Sequence, residues 1–227
     1  MNLIAIHQPN FAPWPGFWVK YLRSDRFVIL DSAQMSWGGV INRVKMDLTG
    51  SNKWLTVATL RKYNSKINEV VIANKNYKNI LFQKMRESYG NHEYFDLIHS
   101  IIPSHEVFLF DLNMKIFENI IEILSLPEKE IILFSKLNVK GHKNELLVNV
   151  MKEIGETKYL SGDGAKAYLD EKIFQTNNIE VRFLNYTPTE YLNEQIQVKT
   201  GLSILDLIIK FGPNKTKDYL MKELVNS

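Results

Sequence analysis

The chain has 227 residues, 45% of them hydrophobic, and its 28 Lys plus Arg against 25 Asp plus Glu give a formal net charge of +3. That length favours one domain with an ample core, and the dispersed basic residues form no nucleic-acid footprint. The absence of cysteine excludes disulfides, thiolate catalysis and zinc–thiolate sites, and no apolar run approaches the roughly 20 residues of a membrane helix.

The start carries no basic leader, so a cytoplasmic protein is expected. Leu3 to Ile6 is a short apolar run that reads as a buried strand. It stops at His7-Gln8-Pro9, where the chain must turn. Pro9, Pro13 and Pro15 each fix a backbone angle and remove a donor, so the loop after this strand is stiff. Phe17, Trp18, Tyr21 and Leu22 recur at helical spacing, with Lys20 and Arg23 elsewhere on the turn. Ser24-Asp25 ends that helix, and Arg26 to Leu30 reads as a second buried strand closing at Asp31. Two strands joined by a helix suggest a parallel βαβ unit, which puts His7 and Asp31 on one sheet edge. Open α/β sheets bind ligands at that edge.

Ser32 to Asp47 reads as a polar, aromatic loop or a loop feeding a short strand, with a sharp turn at Gly38-Gly39. Gly50 to Lys53 reads as another turn, Trp54 to Leu60 as a strand, and Ile67 to Ile72 as a further strand. From about residue 76 to about 126 the pattern is helical, cleanest over Leu109 to Leu124. Glu130 to Ser135 and Lys158 to Ser161 read as strands, Asn144 to Ile154 as a helix, and Ile179 to Tyr186 as a last strand. A short helix is expected from Ala165. Pro188 to Thr200 is loop-like. Ser203 caps a helix that Gly212-Pro213 stops, and a small helix ends the chain. The fold class is therefore α/β, a mostly parallel sheet with flanking helices and a helical central insertion, as one domain over 1–227.

Three polar clusters carry the candidate chemistry. In the first, His7 is a potential general base, Asp31 its potential orienter, and Gln8 and Asn10 are amides suited to sugar hydroxyls. The structural alternative is a histidine and two amides that hold their own loop, with Asp31 capping the next turn. In the second, Gln34, Trp37, Asn42 and Arg43 offer amides and a guanidinium to an anionic group, against a plain surface arginine. In the third, Ser161-Gly162-Asp163-Gly164 follows a strand, and small residues there let a ligand approach backbone N–H groups. It lacks the spacing of a P-loop and of a dinucleotide fingerprint, and no nucleophile elbow occurs. His92, His99, His105 and His142 are too scattered for a metal site, so no metal is expected.

The run His7-Gln8-Pro9-Asn10-Phe11-x-Pro13-Trp14-x-Gly16-Phe17, then Ser24-Asp25-x-Phe27-Val28-x-Leu30-Asp31-x-x-Gln34, resembles the WbqC-like family. The likeness continues through Asn42-Arg43, Trp54-Leu55-Thr56-Val57, Tyr159-Leu160-Ser161-Gly162 and Leu202-Ser203-Ile204-Leu205-Asp206. It departs at Tyr186-Thr187-Pro188, where relatives tend to have a histidine before the proline, and at Asn193-Glu194. The resemblance implies a product of a bacterial surface-polysaccharide cluster, especially an O-antigen cluster. Its substrate would be a nucleotide-linked or lipid-linked sugar, with an acyl or aminoacyl group passed to an amino sugar. On that reading Arg43 and the backbone around Gly162 hold phosphate, Gln8, Asn42 and Asp163 place hydroxyls, and His7 is the base. The cofactor stays unassigned. Two rivals stand beside it: a nucleotidyltransferase, and a non-catalytic sugar-nucleotide-binding or assembly protein.

Overall fold

A computed structural model describes residues 1–36, 38–193 and 196–226. Strand β1 (Leu3–His7) runs through the proline-rich loop into α1 (Pro15–Arg23) and back into β2 (Arg26–Ile29). An insertion follows, with hairpin β3 (Arg43–Leu48) and β4 (Ser51–Thr56), ribbon β5 (Thr59–Leu60) and β6 (Val71–Ile72), and helices α2 (Tyr77–Tyr89), α3 (Ile98–Ile101) and α4 (Leu109–Ile123). The chain re-enters the sheet as β7 (Glu130–Leu133), then crosses by α5 (Lys143–Glu153) to β8 (Lys158–Ser161) and by α6 (Glu171–Thr176) to β9 (Glu180–Phe183). A ribbon of β10 (Tyr191–Asn193) and β11 (Ile196–Gln197) precedes α7 (Ile204–Asn226).

Five strands form one sheet in the order β7-β2-β1-β8-β9, and every pairing in it is parallel. The α/β architecture with a parallel sheet is therefore as expected. Strand alternation splits the core into two layers. Ala5, Phe27, Ile29 and Leu160 face the layer of α1, α4 and α7. Ile4, Ile6, Val28 and Tyr159 face the layer of α5 and α6. From β1 the chain first builds outward through β2 and β7, then returns to add β8 and β9 on the other side. The order reverses between β1 and β8, the kind of point, at the carboxyl ends of the strands, where open α/β sheets place their ligands.

α1 begins with Pro15, whose fixed φ suits the first helical position and whose missing N–H would have had no partner there. Every residue of it but Arg23 is buried, because it lies under α7 as well as over the sheet. A helix apolar all round is an interior helix. The Ser24 hydroxyl donates to the Tyr21 carbonyl at 2.9 Å and closes its end.

The insertion differs in detail from the sequence reading. Thr49 and Gly50, with φ of 52° and 74°, make a two-residue turn that joins β3 to β4. The strand thus starts at Ser51, inside the segment read as a turn, because Ser51 to Trp54 are all exposed and show no apolar alternation. Glu93 to Pro103 is a 3₁₀ turn over Phe95–Leu97 followed by the single turn of α3. The Pro188 to Thr200 segment contains β10 and β11. Helix α7 breaks where Gly212-Pro213 was expected to stop it. Gly212 adopts φ 80° and ψ 170°, and a Cβ there would stand 2.6 Å from the Tyr94 ring.

Candidate functional site

His7 ends β1 and shares the parity of Ala5, so it looks toward α1. Phe17 meets its ring edge-on at 4.8 Å between centroids, and Trp14 at 6.1 Å. The Nδ1 atom lies 3.0 Å from the Gln8 carbonyl oxygen. A carbonyl only accepts, so Nδ1 holds the proton and Nε2 keeps its lone pair. Burial, aided by the Lys20 charge and opposed by the Gln8 carbonyl, lowers the His7 pKa from 6.5 to about 3. The imidazole is therefore neutral at physiological pH.

The loop after His7 is held from several sides. Asn113 on α4 donates from Nδ2 to the Pro9 and Ile41 carbonyls, both at 2.7 Å. Phe11 N–H donates to the Val40 carbonyl at 3.2 Å. The Ser203 hydroxyl donates to the Ala12 carbonyl at 2.6 Å and accepts from Leu205 N–H, so this N-cap also ties α7 to the loop. Asn10 is buried, and neither of its side-chain polar atoms has a partner among the described residues.

Lys20 is a functional candidate that the sequence reading passed over. It is 4% exposed, and its Nζ donates to the Ile6 carbonyl at 2.8 Å. No carboxylate pairs with it among the described residues. Burial lowers its pKa from 10.5 to about 7. The signal was present in the sequence. Lys20 sits in Phe17-Trp18-Val19-Lys20-Tyr21-Leu22, with no acidic residue three or four positions away on either side.

The remaining candidates fall into two groups. Ser161 ends β8, the strand next to β1, and Gly162 follows it. Ser161 is fully buried, whereas a Cβ on Gly162 would meet nothing within 4 Å. Gln8 is half-buried in the same loop as His7. The others are engaged in structure. Asp31 accepts Ser135 N–H at 2.8 Å and the Asn68 amide at 3.4 Å, and has no hydrogen bond to His7. The Gln8 carbonyl, rather than Asp31, orients the imidazole. Asp163 repeats the Asp31 arrangement on the other side of the sheet. It accepts Asn185 and Tyr186 N–H at 3.0 and 2.8 Å and pairs with Lys166 at 2.8 Å. Those contacts hold its carboxyl below the usual range against the opposing effect of burial. Asn42 donates to the Val57 carbonyl at 2.9 Å, and exposed Gln34 donates to Asn64 at 2.5 Å. The Arg43 guanidinium donates to the Gly38 and Gly39 carbonyls and stacks 4.2 Å over the Trp54 ring. Trp37 and Glu194 lie outside the described residues.

The WbqC-like protein family matches this chain over residues 8–218. The chain belongs to the WbqC-like protein family. This WbqC-like chain is also similar to the uncharacterized protein Rv1507c of Mycobacterium tuberculosis, at 26% identity over 228 residues that cover 97% of this chain and 98% of that one. No solved structure matches it.

Several WbqC-like blocks now have a physical reading. Pro9 and Trp14 belong to the loop around His7, and Gly16 lets the Tyr186 ring approach, since a Cβ there would stand 2.8 Å from two of its carbons. Tyr186 thus packs on the first turn of α1, beside the His7 loop. Asp206 accepts the Tyr89 hydroxyl at 2.5 Å and pairs with Lys210 at 3.0 Å, which also reaches Asp47 at 3.1 Å. That block braces the β3–β4 hairpin against α7. A groove of about 830 Å³, lined by Phe110, Met114, Phe117, Ile131 and Leu133, runs along edge strand β7, two strands from β1. Among the described residues, no three His, Asp or Glu side chains gather around a common metal position, and no helix is long and apolar enough to cross a membrane.

Proposed function

We propose that this WbqC-like protein transfers an acyl or aminoacyl group to the amino group of a nucleotide-linked amino sugar in bacterial surface-polysaccharide biosynthesis. The observation that carries the reading is the His7 imidazole, neutral, with Nδ1–H on the Gln8 carbonyl and Nε2 without a partner among the described residues. It stands at the carboxyl edge of the sheet, where α/β folds bind ligands. The sugar nitrogen attacks the acyl carbon and a C–N bond forms. Nε2 takes the proton released by that nitrogen, the bond from the acyl carbon to its leaving group breaks with its electron pair, and the proton returns to the leaving group. Trp14 supplies an aromatic face beside the imidazole. Its neighbour Gln8 supplies an amide for a sugar hydroxyl.

A general base contributes roughly 100-fold to 10,000-fold. With a sugar nucleotide and activated acyl donor that the wild-type protein turns over, His7→Ala should lower kcat by that factor and leave KM within about threefold. Near-normal kcat would remove His7 from the chemistry. The rival, non-catalytic binding of a sugar nucleotide, is favoured by one observation: an imidazole with a pKa of about 3 takes up a proton poorly. Saturable binding without turnover across candidate donors would select that rival.

A further inference from the structure

Pairing between β1 and β8 ends at Ala5 with Leu160, whereas pairing between β1 and β2 runs on to His7 with Ile29. Successive strand residues point their N–H and C=O groups to alternate sides. The His7 carbonyl accepts Leu30 N–H on the β2 side, so the Ile6 carbonyl points toward β8. The Lys20 ammonium takes the place at that carbonyl which the next residue of β8 would have filled. The same rule applies across the gap. The Ser161 carbonyl accepts Leu184 N–H on the β9 side. Gly162 is still extended, with φ −75° and ψ 154°, so its N–H turns toward β1, where it has no acceptor among the described residues.

Two kinds of donor thus border one gap at the point where the strand order reverses. The ammonium has three N–H groups and, among the described residues, one acceptor and no carboxylate partner. Gly162 contributes a backbone N–H, and a Cβ built on it would meet nothing within 4 Å. Arg43, the sequence's own candidate for an anionic group, is instead stacked on Trp54 and bonded to Gly38 and Gly39. We infer that the gap between β1 and β8 is an anion subsite, in which Lys20 Nζ and Gly162 N–H hold a phosphoryl group of the substrate beside His7. The transferase reading is needed only to say which molecule carries that group. A bound anion offsets the Lys20 charge that depresses the His7 pKa, so occupation of the gap makes His7 a stronger base.

The test uses the whole protein and two anions of fixed charge between pH 6 and 8. Sulfate stands in for a phosphoryl group and acetate for a carboxylate, each titrated calorimetrically. The wild-type protein should bind sulfate saturably, with affinity falling about tenfold from pH 6 to pH 8 as Lys20 loses its proton. Lys20→Met should lose at least tenfold at pH 6. Gly162→Pro removes the N–H at a φ that proline accepts, and should lose affinity relative to Gly162→Ala, which keeps it. Unchanged binding in Lys20→Met, or equal binding in the two Gly162 variants, overturns the subsite. Binding of acetate in preference to sulfate overturns the phosphoryl assignment. Turnover by His7→Ala, read beside sulfate binding by the wild-type protein, separates the two proposals. If sulfate binds as described while His7→Ala turns over normally, the base alone fails. If His7→Ala is inactive and the wild-type protein binds no sulfate, the subsite alone fails.

Discussion

Asn113 offers the sharpest test of how the His7 loop is built. It lies in the second turn of α4, 2% exposed, and one amide nitrogen serves two loops, at the Pro9 and Ile41 carbonyls. Its own Oδ1 has no partner among the described residues. Asn113→Leu keeps the volume roughly and removes both bonds. Each buried carbonyl left without a donor costs about 1–3 kcal/mol. Removing the unpartnered Oδ1 returns about 1–3 kcal/mol on the same scale. The net loss should be about 2 kcal/mol. For a chain of this length that lowers Tm by about 4–8 °C. Urea denaturation should show a lower midpoint with an unchanged slope. Tryptophan fluorescence should report loosening around Trp14 and Trp18, which flank the tethered loop. A midpoint within about 0.5 kcal/mol of wild type would refute the claim that this amide carries the two loops.

Four further outcomes follow from other contacts. Above pH 6.5 His7 is neutral folded or unfolded. Below that the unfolded chain takes up the proton first, so stability falls with pH until about 3, by about 3 kcal/mol at pH 4, and urea midpoints for wild type and His7→Gln should separate by that dependence. Lys20 acts over another window, adding stability as pH rises from about 7 towards 10.5, and Lys20→Met should abolish that rise in the same titration. Gly16→Ala drives a methyl into the Tyr186 ring and should cost about 1–3 kcal/mol, a penalty that shrinks in a Tyr186→Leu background if the ring is its cause. Tyr89→Phe breaks the bond to the buried Asp206 carboxylate and deprives Asp47 N–H of its acceptor; a loss of about 2–3 kcal/mol in chemical denaturation is expected, and none would show the network is slack.

The inner strands of the parallel sheet were readable because burial makes them apolar runs, as in Leu3 to Ile6 and Phe27 to Ile29. The α4 stripe was readable for the matching reason at helical period. The β3–β4 hairpin was hidden by the exposed start of its second strand. The candidate site divided along another line. Residue type shows what a side chain can bond, but not whether the backbone has already engaged it. Asp31, Asp163 and Asn42 carry the right groups, yet each bonds main-chain atoms of a neighbouring segment. His7 and Gly162 kept free valences because one ends β1 and the other follows β8 at the switch point, which depends on strand order and has no local signature. Lys20 was overlooked because a lysine in a helix is ordinarily on the wet face, and only the cover of α7 makes α1 dry all round.

The break at Gly212 gives α7 two separate duties. Its leading half grips the turn beyond His7 through Ser203 and through the Ile204 N–H on the Pro13 carbonyl. Its trailing half fastens the strip after Tyr186, where Tyr219 donates to the Thr189 carbonyl and Glu223 receives the Thr189 N–H. One uninterrupted rod would yoke both rims of the sheet's carboxyl edge together. With a glycine joint between them, each rim has its own anchor, and a change in the strip after Tyr186 need not disturb the one that holds the imidazole.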